Sequence, residues 1–110
     1  MNLALSSESK EYEGKKYTAS LIQLTNAVIA IFWVGDEPRL GSLSATMLGT
    51  VSTELLGDRD QLLGRTLGGY LSQRFGKIAL VSVNIPQASS EEVGKILMEL
   101  ARKLSEGNDK

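Results

Sequence analysis

Eight consecutive apolar residues, AVIAIFWV from Ala27 to Val34, stand between Thr25-Asn26 and Gly35-Asp36. A β-strand sends alternate side chains to opposite faces of its sheet, so a strand that is apolar at every position needs cover on both faces. Ile29, Ile31 and Trp33 fall on one face, and Val28, Ala30, Phe32 and Val34 on the other. The alternation does not say which set meets helices. The chain has two helix-patterned segments, both late, which suffice to roof one face of a small sheet. The other face then calls for a partner subunit. Ile29, Ile31 and Trp33 are the candidate dimer-interface residues, because Trp is enriched among the anchors of protein interfaces. The competing reading of Trp33 is ordinary core.

At 110 residues the chain reads as one domain over residues 1–106 with a flexible tail at 107–110. A domain of this size buries about two thirds of the surface its unfolded chain exposes, so it folds without staples. Twelve basic and thirteen acidic residues leave a formal net charge of −1, with no window of Lys and Arg to match a phosphate backbone. Nucleic acid is therefore not an expected partner. There is no Cys and no His, which removes thiol nucleophiles, nitrogen- or sulfur-ligated zinc and the commonest general base. No enzyme, metal or cofactor is expected. The first residues, MNLALSSESKEYE, have neither the basic flank nor the apolar stretch of a signal peptide, and no run reaches membrane-span length. The expectation is a cytoplasmic protein with no membrane association.

Period-two patterns predict strands over Asn2–Ser9 and Tyr17–Leu24, with the charged stretch Lys10–Lys16 as the loop between them. Thr25-Asn26 makes a short connection into the apolar strand, so an antiparallel meander is expected. Gly35–Gly41 (GDEPRLG) reads as an exposed loop, followed by strands over Ser42–Leu48 and Thr50–Leu56. Asp58 and Gln61 form a variant capping box ahead of a helix over Arg59–Phe75, with Leu63, Leu67, Tyr70, Leu71 and Arg74 at helical spacing. Gly76 stops it, Lys77–Ile85 is a sixth strand, and Ser89 with Glu92 caps a second helix. Val93, Ile96, Leu97, Leu100, Ala101 and Leu104 form the apolar stripe of that helix.

Chemical candidates are few. Asp36, Glu37, Glu54, Asp58 and Asp60 offer carboxylates, but turn, strand and cap positions account for them. Ser52 and Thr53 lack a histidine base. The stretch Gly64–Gly69 (GRTLGG) lacks the Lys and hydroxyl of a phosphate-binding loop and lies inside a helix pattern. Close helix-to-sheet packing is the better reading of those glycines.

Phe32–Met47 (FWVGDEPRLGSLSATM), Ser52–Asp58 (STELLGD) and Lys77–Pro86 (KIALVSVNIP) resemble, in this order and spacing, the proteasome assembly chaperone 4 family. The carrying features are the aromatic-Trp-Val-Gly step into a proline-containing loop, the Ser-Thr-x-Leu-Leu-Gly-Asp turn and the Val-Ser-x-Asn strand ending. The resemblance implies an α+β fold: a six-stranded antiparallel sheet with two helices on one face and a partner subunit on the other. It also implies a non-enzymatic dimer that transiently binds a proteasome α-subunit during α-ring assembly. The partner is either a second copy or a related chaperone of type 3. Asp36, Glu37 and Arg39 are the candidate partner-binding loop, being charged and held by Pro38 at the end of the apolar strand. The alternative is a dimeric scaffold or adaptor unrelated to the proteasome, and a third is a small-ligand protein using the GDEPR and STELLGD loops.

Overall fold

The computed structural model describes residues 4–47, 52–56, 61–86 and 91–107. In chain order the elements are β1 (Ala4–Tyr12), β2 (Lys15–Gln23), β3 (Ala27–Val34), β4 (Ser42–Thr46), β5 (Ser52–Leu56), α1 (Gln61–Phe75), β6 (Ile78–Asn84) and α2 (Glu91–Gly107). They form an α+β fold in which one sheet, ordered β1-β2-β3-β6-β4-β5, carries both helices. The residues proposed as caps, Asp58 and Ser89, lie outside the described residues, as do Leu48 and Thr50.

The first three strands make the expected antiparallel meander. The loop expected over Lys10–Lys16 is a correction: Tyr12 pairs with Lys15, and only Glu13 and Gly14 turn the chain. Both have positive φ, 51° and 79°, the mirror-image turn that matches strand twist in a two-residue hairpin. Charge misled the reading, because charged side chains are compatible with a strand at a sheet edge, where they discourage pairing with another chain.

The all-antiparallel sheet is also corrected. β3 and β6 run parallel, from Ala27 opposite Ile78 to Trp33 opposite Asn84. Parallel neighbours need a crossover connection, and α1 supplies it by carrying the chain from β5 over the sheet into the slot between β3 and β4. The two most apolar strands thus lie side by side at the sheet centre. An unbroken apolar run is the usual mark of that position.

Helix α2 packs on β1 and β2, and α1 packs on β4 and β6. Beneath them lie Tyr17, Ala19 and Leu21 of β2, Val28, Ala30 and Phe32 of β3, and Ala79, Val81 and Val83 of β6. The predicted stripe of α2 is buried throughout, together with Leu67 and Leu71 of α1. Arg74 leaves the stripe to place a guanidinium nitrogen 3.5 Å from the Ser105 carbonyl of α2. On β4 the helix-facing positions are Ser42, Ser44 and Thr46, all small. They admit Gly64 and Gly68 of α1: a Cβ at Gly64 would stand 3.1 Å from Ser44 Oγ, and one at Gly68 would collide with Thr46 Oγ1. Two of the helical glycines therefore serve close approach to the sheet. Gly69 meets nothing within 4 Å and has no such role. Gly76, with φ of 68°, closes α1 by donating its N–H to the Ser72 carbonyl at 2.8 Å.

Candidate interaction surface

The face of the sheet away from the helices is built by the same alternation that builds the core. Across the strands, register aligns its side chains in rows. Leu5, Ile22, Ile29, Leu80 and Ala45 make one row over five strands, and every member is apolar. Beside it run Ser7, Ser20, Ile31, Ser82 and Leu43, then Ser9, Thr18, Trp33 and Asn84. Glu11 and Lys16 begin the next. The open face thus grades along the strand direction from charged, through hydroxyl-bearing, to wholly apolar.

The structure brings the three interface candidates together on this face but does not treat them alike. Ile29 and Ile31 are half-buried, whereas Trp33 is only 9% exposed. Trp33 stands between Thr18 and Asn84, and the Asn84 side-chain amide donates to the Leu40 carbonyl at 3.3 Å. Gly41 N–H donates to Ser82 Oγ at 2.9 Å. The return limb of the loop after β3 is therefore fastened to β6 on the Trp33 side of the face. It can carry no side chain at Gly41, where a Cβ would strike the Val83 carbonyl and the Asn84 backbone. The polar wing is satisfied internally, with Ser7 Oγ 2.7 Å from Ser20 Oγ and Ser9 Oγ 3.0 Å from Thr18 Oγ1.

Leu5, Ile22, Leu43, Ala45, Ile78 and Leu80 are not among the interface candidates that the sequence offers, although they extend the patch across the sheet. Their signal was present in β6, where Ile78 and Leu80 alternate with the buried Ala79 and Val81. What was missing was the neighbour: only the parallel placement of β6 beside β3 joins these side chains to Ile29 and Ile31. Leu5, 67% exposed, is the most exposed large apolar residue among those described.

Asp36, Glu37 and Arg39 all lie exposed in the β3–β4 loop, as the candidate loop requires. Arg39 and Glu37 face one another at 3.4 Å across open solvent, a contact of little energetic weight. Among the described residues no group of three or more acidic side chains is placed to hold a metal ion. No helix among them is long and apolar enough to cross a membrane.

Among solved structures, the chain is similar to one in the crystal structure of a novel chaperone complex for yeast 20S proteasome assembly, with a TM-score of 0.67, 15% sequence identity and 94% of each chain covered. It has the fold of a proteasome assembly chaperone. No family model and no curated protein matches it. The match extends over nearly the whole of both chains, so the chaperone fold accounts for the sheet and both helices rather than a fragment. At this identity the likeness is one of architecture.

Proposed function

We propose that the chain is a non-enzymatic proteasome assembly chaperone of the type 4 family, acting in the cytoplasm. It pairs through the open sheet face with a second copy or a related type 3 chaperone, and the pair transiently binds a proteasome α-subunit during assembly of the α-ring. The observation that carries this reading is the structural match, over 94% of each chain, to a chain of a proteasome-assembly chaperone complex. The sheet supports it: five apolar side chains in register, uncovered by any described element, form the kind of surface that association removes from water. A sequence without His or Cys is in keeping with work done by contact rather than catalysis. An assembly aid must also leave, so the α-subunit contact is modest in area and polar at its rim.

Light scattering at micromolar concentration, alone and with a type 3 chaperone, tests the pairing. Calorimetry against free α-subunits and against finished 20S particles tests the role. Binding to free subunits and not to the closed particle is the expected result. Pairing without binding to any α-subunit of the same organism would leave a scaffold or adaptor unrelated to the proteasome.

A further inference from the structure

At the charged end of the strands, residues from two loops distant in the sequence line neighbouring clefts. Glu11, Gly14, Lys15, Lys16, Val34, Gly35 and Asp36 line an open cleft of about 490 Å3. A second of about 280 Å3 shares Val34, Gly35 and Asp36 and continues over Glu37 and Arg39. The hairpin tip and the β3–β4 loop thus meet at one end of the sheet. Gly35 N–H donates to the Lys16 carbonyl at 3.0 Å and ties the two together.

Three acidic and three basic residues line these two clefts: Glu11, Asp36, Glu37 and Lys15, Lys16, Arg39. Of these six residues, Glu37 and Arg39 lie at ion-pair distance of one another, 3.4 Å. Lys10 and Lys103 engage Glu99, Arg102 engages Glu106, and Lys77 donates to the Leu24 carbonyl, while Arg65 and Lys95 stand exposed on the helices. Lys15, Lys16 and Asp36 are exposed, the two lysines on opposite faces of β2, and the cleft borders the partly buried Val34. A phosphate polymer would meet repulsion from the three carboxylates, whereas a polypeptide carrying both signs complements the cleft.

We infer that this end of the sheet docks a mixed-charge polypeptide segment, in which an acidic residue meets Lys16 and a basic residue meets Asp36. The inference rests on the chaperone reading above, under which the segment belongs to the α-subunit. Glu11 lies six residues along β1 from Leu5, about 20 Å at the rise of an extended strand, so pairing through the apolar row leaves the cleft at the rim of the pair.

The test is calorimetry of the full chain, paired as in solution, against a free proteasome α-subunit. Lys16→Glu, and separately Asp36→Lys, should each weaken binding by about tenfold or more and flatten its dependence on salt. Light scattering should show pairing unchanged. Lys95→Glu, on the exposed side of α2, should bind as the wild type does. Charge-reversal variants that bind as tightly as the wild type overturn the docking site and leave the α-subunit reading standing. Wild-type protein that binds no α-subunit overturns that reading, and the site with it.

Discussion

The two faces of β3 are made of the same kinds of residue and meet opposite fates. Val28, Ala30 and Phe32 are fully buried under the helices, whereas Ile29 and Ile31, one position out of phase, remain half-buried on the open face. Side-chain chemistry does not separate them. What separates them is where the covering elements lie: two helices roof one face, and among the described residues no element covers the other. Burial of the first set is a requirement for folding; burial of the second is available for association.

Substitutions that break this contrast should divide by face. Phe32→Ala empties a fully buried site and should cost about 3 to 5 kcal/mol in a urea titration, a large share of the about 5 to 15 kcal/mol that holds a domain folded. Ile29→Glu with Ile31→Glu should instead leave a cooperative unfolding transition and abolish pairing in light scattering. Truncations at the centre of an interface typically cost about 2 kcal/mol or more of binding, and a buried charge adds to that. If both variants unfold alike, the faces are equivalent and the open face is core.

The glycines of α1 sharpen the same contrast at smaller scale. Gly68→Ala sets a methyl against Thr46, whose β-branched side chain has little room to turn, and should destabilise by about 1 to 3 kcal/mol. Gly69→Ala meets nothing and should stabilise by up to about 1 kcal/mol through helix propensity. Paired thermal melts of the two neighbours give opposite signs, and equal signs would contradict close packing at Gly68.

The smallest expected effect lies at the sheet edge. The Lys10 ammonium, hydrogen-bonded to Glu99 at 2.7 Å, holds that carboxyl below its ordinary range. A depressed folded-state value means that the stabilisation is present above the ordinary carboxylate range and is lost as pH falls through the lowered one. Glu99→Gln should therefore lower the melting temperature slightly at neutral pH and not at all in strong acid. Added salt should shrink the difference, because the pair is exposed.

Six strands, two helices and their order were legible from periodicity, turn residues and caps. Each is a local property, set within a few residues by side-chain alternation or helical spacing. The Glu13-Gly14 turn was not, because its signal was masked by surrounding charge that an edge hairpin tolerates. The interface candidates Ile29, Ile31 and Trp33 were read onto one face correctly as a matter of alternation. Sequence did not say that this face would be the open one, nor that Trp33 would be so nearly covered.

By itself, the sequence determined that AVIAIFWV is a strand needing cover on both faces, and that the chain carries helices enough for one. Only the tertiary structure decided that β6 inserts beside it in parallel, since strand order depends on where α1 returns the chain, and no local pattern encodes that. That choice assembles Leu5, Ile22, Ile29, Leu80 and Ala45 into a single apolar row. It also gives β3 the central position in which an unbroken apolar run is stable. Alternation is written in each strand, whereas a surface exists only once strands from distant parts of the chain lie in register.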